Sequence, residues 1–441
     1  MKNTGQRVIF LSSRFAMLIY IHVPFCRIRC SYCAFHSTAL GRGINPRTSE
    51  RLQAYADTLL MELAHWGDRF GGTPVESVFF GGGTPSLLSP SFIHAVLDRI
   101  GRYFSLHPKA EITLEANPES LRTQQDTADF LAAGVNRLSI GLQSLDDSTL
   151  RMLGRAHKAS DSLHTVFNAR EAGCTNISVD LMWGLPGQSM RQWLQTLKDI
   201  CRIGPDHISA YGLTLEPGTP LELECSEGRL SLPPERDQNL MYMEGSALLE
   251  SQGYLHYEIS NYARMGFQCH HNLGYWEGRD YIGLGPSATS TMLHTRWTNP
   301  ASQRAWDAQV RGGTLGQDPE VLTPRVRVLE LIMLRLRTAR GLRLKAYKTL
   351  TGRDFVKDNQ RMIQALYDNG LVRMREGYLR LTRKGMLVSN AILRNLFENT
   401  DKMLALPQTQ PLTMPSAADF DEEELADLDR TLVRAAVFPS A

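Results

Sequence analysis

Six apolar runs recur through the first half of the chain: "LIYIHV" (18–23), "ESVFFGGG" (76–83), "EITLEANP" (111–118), "RLSIGLQS" (137–144), "NISVDLMWGLP" (176–186) and "HISAYGLTLEP" (207–217). Helical patterns near 90–104, 122–133 and 159–172 lie between them. Parallel strands cannot be joined by a tight turn and need a crossover, usually a helix. Alternation with that spacing therefore predicts an α/β chain of parallel βαβ units, and six of them make a barrel or most of one. An open doubly wound sheet has the same period. The strand ends narrow the choice, because a parallel barrel collects its chemistry at the C-terminal rim. The cysteines follow the first strand, Gly81–Thr84 the second, Glu115 and Asn117 end the third, Gln143 follows the fourth, and Asp180 with Gly184 end the fifth. Any one of these serves equally as a helix cap or turn residue. Five on one rim point to a shared site.

With 441 residues, 42% of them hydrophobic, the chain can bury a large core and more than one domain is expected. A net charge of +2 implies no particular partner. The odd number of cysteines, seven, argues against a secreted disulfide framework and for a reducing compartment in which thiolates bind metal. No run approaches the ~18 apolar residues of a membrane span. Met17 directly precedes the first strand, so residues 1–16 read as an extension, and the chain reads as cytoplasmic.

Composition changes near Leu322. From Pro324 to Arg394 there are 17 Lys and Arg against 5 Asp and Glu, a net of +12. Helical patterns, then a hairpin with its turn at Arg375–Gly377, then a closing helix suggest a small winged-helix-like module. The chain from Asp401 is proline-rich and then acidic ("DFDEEELADLD", 419–429), with 8 acidic against 3 basic residues. The expected division is an extension (1–16), a barrel with its appended segment (17–300), a basic α+β module (301–398) and an acidic disordered tail (399–441).

Cys26, Cys30 and Cys33 form a C-x₃-C-x₂-C set. Structural zinc takes four ligands, and His22 or His36 is near enough in sequence to add one. A [4Fe–4S] cluster normally takes four thiolates, so three leave an iron open to an outside ligand. The spacing admits both readings. "FFGGGTPS" follows by some fifty residues, and its glycines let backbone approach a ligand and expose N–H groups to it.

Together these residues resemble the radical S-adenosylmethionine (SAM) proteins, and within them the group containing oxygen-independent coproporphyrinogen III dehydrogenase and the HemW-type haem chaperones. The resemblance runs from about Met17 to Asn390 and rests on "YIHVPFCRIRCSYCAF", "FFGGGTPS", "GVNRLSIGLQS", "LGRAH", "DLMWGLPGQ", "HNLGYW" and "GLGPSA". It implies a partial (β/α)6 TIM-like barrel with a small C-terminal winged-helix-like α+β module. It further implies a [4Fe–4S] cluster on Cys26, Cys30 and Cys33, whose open iron chelates SAM. Tyr20, Tyr32, Gly82, Gly83, Thr84, Glu115, Gln143, Arg155 and Asp180 match the family's SAM contacts. Arg155 is the exception in kind, since an arginine in "GRAHK" reads equally as a solvated face.

Two departures separate this chain from the dehydrogenase. Phe35 stands where that enzyme has a fourth cysteine, and the segment before the cluster is short. Both are shared with the chaperones, whose H-N-x-x-Y-W pattern matches His271, Asn272, Tyr275 and Trp276. A histidine can ligate haem iron, two aromatics can cover the macrocycle, and an asparagine can orient the imidazole. The same string also describes a packing cluster, and Cys269 and His270 are rival ligands. The resemblance thus implies haem transfer to acceptor proteins such as membrane-bound respiratory enzymes, with SAM-dependent decarboxylation of coproporphyrinogen III as the alternative. The basic module suits an acidic partner or an anionic membrane surface, and nucleic acid is not an expected partner.

Overall fold

The computed structural model describes residues 16–41, 45–46, 49–405 and 412–413. Most of the expected extension and most of the acidic tail lie outside the described residues. Strands β1 (Met17–Val23), β2 (Pro74–Gly82), β3 (Ser105–Ala116), β4 (Arg137–Gln143), β5 (Ile177–Trp183) and β6 (His207–Gly212) pair in parallel, each with the next in the chain. Helices Glu50–Phe70, Pro90–Tyr103, Gln124–Ala132, Ala159–Glu171 and Met190–Ile203 make the crossovers. Their starts follow from local chemistry. Ser89 accepts the Phe92 amide ahead of Pro90, and Thr123 and Ser189 open capping boxes with Asp126 and Gln192. Each such cap contributes about 1 kcal/mol.

The parallel strands carry apolar residues on both faces, as burial between a helical layer and a barrel interior requires. Ile19, Ile21, Phe80, Leu114, Ile140 and Val179 are buried in one core with Trp193 and Leu197 of the last crossover helix. The arrangement is a partial barrel. Twelve strands form the sheet: beyond β6 stand Asn261–Ala263 and Leu255–Glu258, both antiparallel, and before β1 stands Tyr281–Leu284, parallel, followed by an antiparallel meander through Thr289–Met292, Thr295–Thr298 and Glu320–Val321. The sheet ends do not pair with each other.

Glu62, on the long first helix, fastens this meander to the barrel. Its fully buried carboxylate accepts Gly285 N (2.7 Å), Asn299 Nδ2 (2.6 Å) and Trp306 Nε1 (3.0 Å).

The basic segment has a second core built on Val328, Ile332, Leu336, Tyr347, Leu379 and Leu396. Helices Pro324–Leu336, Leu344–Thr351 and Gln360–Asp368 precede the hairpin Val372–Arg375/Tyr378–Leu381, and Ser389–Ala405 closes the module. Glu376 and Gly377 both have positive φ (52° and 80°), as a two-residue hairpin turn of the favoured hand demands. Tyr242 belongs to this core and Trp183 packs against it, joining module to barrel. Among the described residues no helix is long and apolar enough to cross a membrane.

Candidate functional site

The cysteine loop leaves β1 at its C-terminal end. It is pinned by Thr38 N to Pro24 O (2.8 Å), Leu40 N to Cys26 O (2.9 Å) and Ser31 N to Leu153 O (3.0 Å). All three thiols are free and partly exposed. Burial pushes the Cys26 and Cys33 thiols up, against hydrogen bonds that favour their thiolates. Among the described residues no three His, Cys, Asp or Glu side chains are grouped to hold one metal ion. His22 is also committed: Tyr20 Oη donates to its Nδ1 (3.1 Å) and its Nε2 donates to the His36 carbonyl (2.8 Å). His22 is thus engaged within the protein and is not a free fourth ligand for zinc.

Arg155 departs from the solvated-face alternative. Its Nη2 donates to Gly141 O (2.6 Å) and Asn117 Oδ1 (2.6 Å), and its Nη1 faces Cys30 Sγ at 3.5 Å. The guanidinium therefore braces the ends of β3 and β4 behind a cysteine. The glycine turn also differs from expectation. Gly82 N donates to Glu115 Oε2 (3.0 Å), Gly83 N to Val23 O (2.8 Å) and Thr84 N to Phe25 O (2.7 Å). These amides are spent inside the protein and are not offered to a ligand. Glycine is needed because a Cβ on Gly83 would lie 2.4 Å from Phe25 O, and Gly82 has a φ of +106°. The close approach is of strand end to strand end.

Two cavities open at this rim. The outer, about 410 Å³, is lined by Tyr20, Phe35, His36, Gly82, Glu115 and Tyr275 among others. The inner, about 180 Å³, lies within the barrel among Tyr20, Glu115, Arg137, Asp180, His271 and Tyr275. They share Tyr20, Glu115 and Tyr275. Burial and the nearby Asp180 push the Glu115 carboxyl up to about 8, opposed by the Gly82 amide. Burial also raises Asp180, which accepts Ser139 Oγ on both oxygens (3.2 and 3.3 Å).

The structure brings together Tyr20, Gly82, Glu115, Asp180, His271, Asn272 and Tyr275. Tyr32, Gly83, Thr84, Gln143, Arg155 and Trp276 line neither cavity. Tyr32 packs instead against Leu153, Met182, Leu185 and Leu221. Gln143 ends β4 at a φ of 64°, beside a register shift, a strained conformation of the kind that collects at sites.

Helix His270–Trp276 lies against β2, with Gly274 meeting Leu18. Glu111 caps it, accepting His270 N (3.0 Å), His271 N (3.1 Å) and the Cys269 thiol (3.4 Å). His271 is 1% exposed; its Nδ1 bonds Ser77 Oγ (2.8 Å) and its Nε2 has no hydrogen-bond partner among the described residues. Burial lowers its pKa to about 3, so the ring is neutral. Ser77, not Asn272, orients the imidazole. Tyr275 meets His271 edge-on at 4.8 Å, but Trp276 turns to the buried Glu258 carboxylate. Of the rival ligands, Cys269 is sealed against Glu111 with its thiol pushed up by burial, and His270 is exposed. Sequence reasoning passed over Ser77, Glu111 and Arg137. The signal for the last two was a charged residue inside an apolar strand pattern.

Residues 20–200 match the model of the radical SAM superfamily and residues 322–388 that of the HemN C-terminal domain. The chain is 36% identical to the bovine radical S-adenosyl methionine domain-containing protein 1, mitochondrial, over 90% of each chain. It is 32% identical to the heme chaperone HemW of Bacillus subtilis over 85% of this chain and 97% of that protein. Among solved structures it resembles coproporphyrinogen III oxidase (HemN) of Escherichia coli, with TM-score 0.72 and 24% identity, covering 88% of this chain and 91% of that one. This last likeness is one of fold.

Proposed function

The chain belongs to the radical SAM superfamily and, within it, to the group of the heme chaperone HemW, and on that premise we propose that it binds haem and passes it to acceptor proteins. The observation that carries the reading is His271, a buried neutral imidazole whose Nδ1 is held by Ser77 and whose Nε2 is unpartnered beside the barrel cavity. An oriented imidazole with one free ring nitrogen is what an axial iron ligand requires. Tyr275 supplies an aromatic face next to it. The donor fits; the room is narrower. The inner cavity, about 180 Å³, is below the 300–1,000 Å³ range of pockets for drug-sized molecules. Haem on His271 thus requires the His270–Trp276 helix to shift.

The family brings a [4Fe–4S] cluster and SAM. We assign the cluster to Cys26, Cys30 and Cys33. It would supply a redox centre with one iron open to the amino and carboxylate groups of SAM. Glu115, which lines both cavities, and Asp180, which lines the inner one, suit ribose hydroxyls or an amine, with Tyr20 and Gly82 on the outer cavity. Gly83, Thr84 and Arg155 tie the strand ends together and Tyr32 packs against the core beside them, while Gln143 remains a proposed SAM contact. The outer cavity, lined by Ala34, Phe35 and His36 directly after Cys33, shares three lining residues with the histidine cavity, which supports coupling between cluster state and haem loading. The basic module, net +12 over Pro324–Arg394, suits docking to an acidic acceptor or an anionic membrane carrying respiratory enzymes.

An anaerobic haem titration of the iron-reconstituted protein, followed at the Soret band, tests the reading. One-to-one saturation, weakened at least tenfold in His271→Ala, is expected. No saturable binding overturns it. Replacing the three cysteines by alanine should remove the iron and change the rate of haem transfer; an unchanged rate would sever cluster from cargo.

A further inference from the structure

Arg137 opens β4 and is 1% exposed, one of the largest fully buried side chains of the molecule. Its guanidinium lines the inner cavity. Arginine carries five N–H donors and keeps its charge in proteins, so burying it without acceptors is costly. Its Nε has no hydrogen-bond partner among the described residues. The acids nearest in charge, Glu111 and Asp180, attract it but are engaged elsewhere. Glu111 caps the His270–Trp276 helix and holds the Cys269 thiol, and Asp180 takes Ser139 on both oxygens.

A second unsatisfied atom, Nε2, belongs to His271, which lines the same space. If Ser77 donates to Nδ1, this nitrogen carries the ring proton and is another donor. The cavity therefore has a fixed cation and a neutral donor on one side, with the hydroxyl groups of Ser139, Ser209 and Tyr211 around them. Asp180, on its rim, would repel an anion that was not held by the arginine. At about 180 Å³ it admits a carboxylate-bearing arm or a small acid and excludes a macrocycle.

We propose that the inner cavity is a carboxylate-binding site in which Arg137 forks onto the carboxylate; a free acid also meets His271 Nε2–H, whereas bound haem takes that nitrogen as its iron ligand. Planar bidentate pairing is the contact for which arginine is suited and lysine is not. The carboxylate comes either from a propionate arm of haem, whose ring lies outside this cavity once the His270–Trp276 helix has shifted, or from a free small acid. The first source rests on the haem reading above; the site itself does not. With a free acid, His271 has a role that involves no iron.

Two titrations of the full-length chain separate the sources. The first compares haem with haem dimethyl ester, whose propionates are uncharged, in wild type, Arg137→Gln and Arg137→Lys. The second titrates propionate and succinate calorimetrically against the same three proteins without haem. If haem supplies the carboxylate, the ester binds about tenfold more weakly to wild type. That preference disappears in Arg137→Gln and is reduced in Arg137→Lys. If a free acid is the ligand, wild type shows saturable binding of propionate or succinate that Arg137→Gln loses, while haem and its ester bind alike. Equal binding of haem and ester together with no saturable acid binding overturns the proposal. Should both variants fail to fold, the wild-type titrations alone still distinguish these outcomes. Absence of haem binding in the first titration refutes the haem reading and leaves the second to judge the site.

Discussion

Glu62, on the first helix, and Glu115, at the end of β3, are both buried carboxyls, and both are pushed up by burial, to about 7 and about 8. Their surroundings differ in completeness. Glu62 is ringed by donors: Gly285 N, Asn299 Nδ2 and Trp306 Nε1, with Trp66 Nε1 further off at 3.4 Å. Glu115 receives the Gly82 amide and otherwise faces a second acid, Asp180, across a cavity. A buried polar group with its hydrogen bonds filled is part of the scaffold. One held next to a like charge and an opening is arranged for something else. The same contrast separates the glycine turn, whose amides are spent internally, from Arg137 and His271, each left with an unpartnered nitrogen.

The contrast breaks first at Glu62. Replacing it by glutamine puts an NH₂ where every neighbour already donates, and leaves at least one of those buried donors without an acceptor. A loss of about 3 kcal/mol in stability is expected, read by denaturant unfolding of the cluster-free chain. A loss below about 1 kcal/mol would mean that the ring of donors is not what fastens the meander to the barrel.

The pH profile sharpens it. A carboxyl whose folded pKa lies above its ordinary value binds protons more tightly when folded. Stability is then greatest below the ordinary value and falls as the pH rises toward the folded one, by up to about 1.4 kcal/mol per pH unit per group. Glu62 contributes between about 4.5 and 7, and Glu115 between about 4.5 and 8. The slope between pH 7 and 8 should therefore vanish in Glu115→Gln and persist in Glu62→Gln. Persistence in both would assign that slope to another group and remove Glu115 from the comparison.

A third test separates stability from binding. Glutamine at 115 still offers an oxygen to Gly82 N and relieves the repulsion from Asp180. Stability near neutral pH should therefore not fall. SAM affinity, measured above about pH 8, where Glu115 is ionised, by equilibrium dialysis against the reconstituted protein, should fall about tenfold, the worth of one charge-assisted hydrogen bond. The reverse pattern, stable binding with a large loss of stability, would make Glu115 a scaffold residue like Glu62.

How much of this the sequence discloses depends on the range of the interaction. The six parallel strands read clearly because strands buried on both faces are continuous apolar runs. The flanking strands of two to four residues, such as Asn261–Ala263 and Glu320–Val321, carry no period long enough to see. The cysteines read clearly because their spacing is local. The glycine turn was legible as a turn, but its amides are consumed by Val23, Phe25 and Glu115, and only tertiary pairing decides that. Arg137 and Arg155 look alike in sequence, single arginines in mixed surroundings. One proves to line a cavity and the other to brace strand ends, and no periodicity distinguishes them. The HNLGYW helix shows the same limit: its composition suits a haem ligand, but which residue turns inward is set by Glu111 and Ser77 on distant strands.

The smallest expected effect tests that last assignment. His270 and His271 are adjacent, yet the helix sends one side chain outward and the other inward. The outer residue contributes only its backbone amide to Glu111, and alanine keeps that amide. His270→Ala should therefore change stability by less than about 0.5 kcal/mol. It should also leave the Soret position and haem affinity of the reconstituted protein unaltered, in contrast to His271→Ala. A Soret shift in His270→Ala comparable to that in His271→Ala would move the iron to the outer surface of the helix. The cavity around Arg137 would then lose its histidine to no ligand at all, and the unpartnered Nε2 of His271 would have to be explained by the carboxylate alone.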